Sequence, residues 1–237
     1  MQAIPILSTL VTFAFAAAVL GRWRYKKGSH LLLWGLGLIW YGLGTLSEVI
    51  LAFTFNPLVL KLWYLSGAML TAAWLGQGTV YLLARKRGLA NILMAFLGCA
   101  SLAALLLLLL APITPAAANY QTSLPASMQY KDILARSGWI IFLTILLNIY
   151  GTLALVGGAI YSAFLFWRKH VLVQRMLGNI LIAAGAMMPA VGGSFVRAGL
   201  PDFLYWSEFL GVVIMYGGFI LATATRPAER AVPAAAD

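Results

Sequence analysis

Two carboxylates stand where a carboxylate is costly. Glu48 and Glu208 each lie inside a long apolar run, and they are two of only six acidic residues in the chain of 237. A charged group in the interior of a membrane helix costs about 3 kcal/mol or more, so it usually faces protein, water or a ligand. Asn148 is a third polar group in such a run, and Gln77 and Asn179 are two more. Aromatic residues accompany the carboxylates, at Trp40 and Tyr41, Trp63 and Tyr64, and Tyr205 and Trp206. Lys61 and Arg197 stand at the ends of their runs. Carboxylates among aromatic faces suit a small amphipathic or cationic ligand, through charge pairing and cation–π attraction. The expected ligand-binding set is Glu48, Glu208, Asn148, Trp40, Tyr41, Trp63, Tyr64, Trp206 and Arg197.

Structural roles compete for the same residues. Outer Trp and Tyr form interface belts, and long basic side chains snorkel to the headgroups. Glu208 can pair with Arg197 as a clamp between neighbouring helices, and Glu48 can hydrogen-bond a neighbouring helix. Other chemistry finds no footing. His30 and His170 both sit beside basic clusters at the ends of apolar runs, so no buried metal or haem ligand set forms. The last apolar run contains no lysine for a retinal Schiff base. No Ser-His-Asp arrangement has a histidine at the right depth. Neither an enzymatic activity nor a metal or cofactor is expected.

The elements that carry these residues follow from composition. Hydrophobic residues make up 62% of the chain and charged ones 9%, with a mean hydropathy of +0.92. A soluble domain carries roughly 25% charge, so lipid must solvate most of this surface. Seven apolar segments are expected, at 4–21, 31–54, 58–83, 89–112, 139–167, 176–197 and 203–225. The chain is thus expected to be an all-α integral membrane protein, one seven-helix bundle over 1–226 with a disordered tail over 227–237. The first segment has no basic residue before it and a basic cluster after it, the reverse of a cleaved signal peptide.

The net charge of +10 follows the same topology rather than a nucleic-acid partner. If seven helices alternate, 12 of the 16 basic residues fall on one face. That face is expected to be cytoplasmic, with the N-terminus outside, the C-terminus inside and the plasma membrane of a prokaryote as the location. Glu48, Glu208, Asn148, Lys61 and Arg197 then share the outer half of the bilayer. The longest connection, 113–138, is also external, and Lys131, Asp132 and Arg136 are expected in a short interfacial helix. Pro189, with Gly192 and Gly193, offers a hinge in the sixth segment, or simply a fixed kink. Leu62-Trp63-Tyr64 and Leu204-Tyr205-Trp206 open two segments in similar fashion, which suggests a three-plus-one-plus-three repeat.

The run Leu38-Ile39-Trp40-Tyr41-Gly42-Leu43-Gly44, then Glu48, then Leu62-Trp63-Tyr64-Leu65-Ser66-Gly67, resembles the seven-helix sensory module at the N-terminus of some bacterial and archaeal histidine kinases. The resemblance covers residues 34–83. It implies an outward-facing sensor, and with no kinase after Arg226 such a sensor would signal through a separate partner. Two other readings stand beside it. One is a small-solute transporter built on the repeat, with Gln77 and Asn179 extending a polar path. The other is an accessory subunit that packs the leucine-rich face of residues 105–110 against a larger complex.

Overall fold

The computed structural model describes residues 3–84, 87–168, 173–198, 200 and 202–224. The tail from Pro227 and the basic residues Arg85, Lys86, Lys169, Arg226 and Arg230 lie outside the described residues. Those described fold into helices α1 (Ala3–Lys26), α2 (Ser29–Leu51), α3 (Pro57–Leu83), α4 (Arg87–Leu110), α5 (Ala126–Ile133), α6 (Gly138–Arg168), α7 (Val173–Arg197) and α8 (Asp202–Thr223). No strand occurs among them. Six helices (α1, α2, α3, α4, α6 and α8) are long and apolar enough to cross a membrane, so the chain is a multi-pass membrane protein. In lipid a helix satisfies its own backbone, which is why apolar runs of this length become helices.

Helix starts follow local chemistry. Asn56 caps α3, its side chain accepting from Leu58 N at 2.8 Å and Val59 N at 3.3 Å, and Pro57 fills the first helical position. Ser137 caps α6 by accepting from Ile140 N at 3.4 Å. Both are the oxygen-bearing residues that satisfy orphan amides at a helix start. Lys61 meets the opposite need. Its Nζ donates to Leu109 O at 2.9 Å, where the last carbonyls of α4 lack helical partners.

The helices close a ring. α1 packs on α2, α2 on α3, α3 on α6, α6 on α7, α7 on α8, and α8 returns to α1; α4 sits outside, against α3 and α6. Glycines line the α7–α8 seam. Gly178, Gly185 and Gly192 recur every seven residues along α7. A Cβ on Gly178 would lie 2.6 Å from Gly218 O, and one on Gly185 would lie 2.6 Å from Gly211 O. One on Gly192 would collide with the Ser207 hydroxyl. Small residues at such a seam let two backbones meet in lipid, where helix association rests on close packing. Pro189 lies within α7 and does not interrupt it.

Gln77 is fully buried and spent on this scaffold. Its Nε2 donates to Ala90 O at 2.8 Å, and its Oε1 accepts from the Tyr150 hydroxyl, so it joins α3 to α4 and α6. Gln77→Leu breaks both bonds and leaves the Tyr150 hydroxyl facing an apolar side chain. Polar contacts within membrane bundles are worth about 0.6–1.7 kcal/mol. A loss of about 1–2 kcal/mol is expected from the pair, checked by equilibrium unfolding in mixed micelles.

Candidate functional site

The site begins at a helix crossing. Gly44 of α2 faces Gly67 of α3 so closely that a Cβ on Gly44 would lie 3.1 Å from the Gly67 Cα. One helical turn outward from each glycine stand Glu48 and Trp63. The close crossing therefore brings these two side chains together, and Trp63 Nε1 donates to Glu48 Oε1 at 2.9 Å. Glu48 is 4% exposed, and its second oxygen, Oε2, has no hydrogen-bond partner among the described residues. An unpaired buried oxygen of this kind is costly and demands a donor.

Glu208 reaches the same cavity wall from α8. Tyr41 fixes this approach, since its hydroxyl donates to Glu208 O at 2.9 Å and ties α2 to α8. Asn148 joins from α6. Its Nδ2 donates to Ala68 O at 2.6 Å and to Thr144 O at 2.8 Å. Ala68 lies in a π-helical stretch of α3, Tyr64–Leu70, where the wider turn alters the carbonyl ladder. A second π-helical stretch, Leu153–Gly157, follows Asn148 in α6. Such bulges concentrate at functional sites, and here each supplies residues to one cavity.

That cavity, about 490 Å³, lies among α2, α3, α6, α7 and α8 of the ring. Glu48, Glu208, Asn148, Tyr41 and Trp63 stand in its walls, with Pro189 contributed by α7. Ser127, Tyr130 and Lys131 of α5 line its outer part, and Lys131 is exposed. Leu75, Leu155 and Met215 line its deep end and also border a second, purely apolar space of about 40 Å³ that includes Leu38 and Phe219. Polar lining stops there. The deeper Gln77 is outside the cavity, engaged by α4 and α6.

The segment between α4 and α6 is built as a cover. Ile113 pairs with Leu134 in an isolated bridge, Thr114 N donates to Ile133 O at 2.9 Å, and Thr114 Oγ1 donates to Asp132 O at 2.6 Å. Tyr120 Oη donates to Leu51 O at 3.2 Å and pins the segment to α2. Burial, with the Glu48 charge adding to it, pushes the Tyr120 phenol up to about 12, so this donor persists across the neutral range. Beneath, Tyr130 meets Trp63 and Tyr64 with ring centroids 5.3 and 5.5 Å apart. The Arg136 guanidinium lies 4.8 Å from the Tyr130 ring and 5.8 Å from that of Tyr64, a cation–π arrangement that anchors the cover.

Of the residues singled out from sequence, Glu48, Glu208, Asn148, Tyr41 and Trp63 converge on the cavity. Trp40 instead packs against Trp74, ring centroids 6.5 Å apart. Tyr64 is buried beside the cavity and its hydroxyl pairs with Thr144 Oγ1 at 3.1 Å. Trp206 is 50% exposed on the outside of the bundle. Gly192 packs on Ser207 in the α7–α8 seam. Gly193 lies within α7, and the side chain of Arg197 lies outside what the structure describes, so the Arg197–Glu208 clamp does too. Nothing in the sequence marked Ser127 and Tyr130 as cavity residues. The signal was the helical sequence Ala126–Ile133 inside a connection, but a short amphipathic stretch gives no indication of what it covers.

No protein-family model matches this chain. Nor does any curated protein or solved structure. The functional reading therefore rests on the cavity itself.

Proposed function

We propose that this protein is a membrane-embedded sensory or regulatory module that binds a small ligand carrying a cationic group in the cavity at Glu48 and Glu208, and signals through a separate partner. The observation that carries the reading is convergence: two carboxyls, an amide and an aromatic wall from four helices meet in one space whose polar lining stops halfway. In this reading α7 is a seventh span, its 25 residues extending about 37 Å at 1.5 Å per residue. The N-terminus is outside, the C-terminus is cytoplasmic and the cavity opens outward in a prokaryotic plasma membrane. The resemblance of residues 34–83 to histidine-kinase sensory modules supports it, because Glu48 and Trp63, both in that stretch, meet in the cavity.

Binding is tested on purified protein in lipid nanodiscs, with butylamine as the probe and tryptophan emission as the signal, since Trp63 touches Glu48. Saturable quenching is expected; no response across a panel of small organic amines removes the reading. Topology is tested separately by single cysteines in a Cys99→Ala background. An impermeant maleimide applied to intact cells is expected to label Lys131→Cys and to spare Lys27→Cys. Labelling of both positions, or the reverse pattern, overturns the orientation.

A transporter is the second reading, favoured by the order of the ring. α1–α2–α3 and α6–α7–α8 each pack in sequence and meet at α3–α6 and α8–α1, as a three-plus-one-plus-three repeat requires. The apolar end at Leu75, Leu155 and Met215 weighs against a continuous path, and flux of butylamine into proteoliposomes would restore it. α4, outside the ring with Leu102, Leu105, Leu106, Leu109 and Leu110 exposed, is the surface an accessory subunit would use.

A further inference from the structure

The cavity is electrically two-ended. Glu48 and Glu208 both stand in its wall, with Oε2 of Glu48 buried and unpartnered among the described residues. At its outer part the lining includes Lys131, which is exposed and makes no hydrogen bond or ion pair among the described residues. Next to it on α5, the buried Ser127 hydroxyl also lacks a partner. A ligand bearing only an ammonium group would satisfy the first end and leave Lys131 and Ser127 unused. We infer that the natural ligand is a small zwitterion. Its ammonium group meets the Glu48–Glu208 pair, and its carboxylate or phosphate meets Lys131 and the Ser127 hydroxyl.

This rests on the proposed ligand-binding function and adds the anionic half. Complementary charges at both ends fix a ligand's orientation and reject molecules carrying one charge alone, because the unmatched end then stays desolvated. An ammonium group has three donors to offer the carboxyl oxygens, including the free one on Glu48. Lys131 supplies a flexible point charge that suits either a carboxylate or a phosphate. The same chemistry has two sources, a free zwitterion such as an amino acid and the headgroup of a zwitterionic lipid.

The test uses the full chain in nanodiscs of phosphatidylglycerol, with glycine, 4-aminobutyrate and 6-aminohexanoate as a ruler of charge separation. Butylamine and butyrate are the single-charge controls. At least one zwitterion is expected to bind tenfold or more tightly than butylamine. Lys131→Gln is expected to remove that advantage while butylamine binds no more weakly than before, because a cationic side chain in the lining can only oppose a cation. Ser127→Ala is expected to weaken the zwitterion by a few-fold only. If butylamine binds and no zwitterion binds better, or if Lys131→Gln leaves the preference intact, the zwitterion is overturned and the cationic-ligand reading survives. If neither class binds, both fall. Repeating the titration with phosphatidylethanolamine in the bilayer separates the sources. Competition assigns the site to a lipid headgroup and its absence to a soluble zwitterion, and either supports the inference.

Discussion

Glu48→Gln is expected to weaken butylamine binding roughly a hundredfold while the protein remains folded. Glutamine is nearly isosteric, and its side-chain oxygen still accepts the Trp63 indole hydrogen that Glu48 accepts at 2.9 Å. What disappears is the negative charge at the buried, unpartnered Oε2. Removing one partner of a buried charge pair costs about 2–5 kcal/mol, and about 3 kcal/mol corresponds to two orders of magnitude in Kd. Glu48→Leu is the harsher comparison, because it also strands the indole N–H and should lower stability. Calorimetry with butylamine, together with thermal melts of both variants, checks the two halves separately. Wild-type affinity in Glu48→Gln would show that the cation does not sit on this carboxyl.

Gly151→Leu is expected to cause the largest loss of stability of any change considered. Gly151 of α6 lies against the backbone of α3, where an added Cβ would collide with the Ala72 carbonyl and sit 2.5 Å from Ala73 N. Those atoms belong to a helix main chain and cannot rotate aside, so the two helices must separate. Overpacking a tight core costs about 1–3 kcal/mol and occasionally more, and a leucine at this seam belongs at or above the upper end. Gly98→Leu provides the control, since nothing lies within 4 Å of an added Cβ there, and surface substitutions stay within about 0.5 kcal/mol. Circular-dichroism melts in micelles should show a markedly lower Tm for the first and almost none for the second. Because α3 and α6 both wall the cavity, butylamine binding should fail in Gly151→Leu as well.

The helices were legible because apolar run length is a strong signal. The short helix at Ala126–Ile133 was anticipated for Lys131 and Asp132, whereas Arg136, expected in the same helix, lies beyond its end. Depth along a helix was readable too, which is why Glu48, Glu208 and Asn148 could be grouped before any coordinates. Azimuth was not. Trp40 and Tyr41 are neighbours in sequence, yet one turns toward Trp74 and the other into the cavity. Facing is set by which helices touch, and that depends on glycines such as Gly44 and Gly67 whose partners lie on other segments. The π-helical stretches were equally hidden. No proline or unusual residue marks Tyr64–Leu70, and the wide turn is held by tertiary bonds such as Asn148 to Ala68 O.

The glycine seam between α7 and α8 decides what can move. With carbonyls of one helix resting on the α-carbons of the other, neither can slide along its partner without lifting over a register of seven residues. Movement of either helix is therefore expected to carry the other with it. On the α1 side the pair meets rings, where Phe15 stacks on Tyr216 at 4.8 Å and leans on Phe219 at 5.5 Å. Flat rings can glide where backbones cannot. In the proposed function a guest that touches Pro189 and Glu208 meets both helices at once, and any movement it causes is expected to be shared along the pair toward Val173 and Thr223.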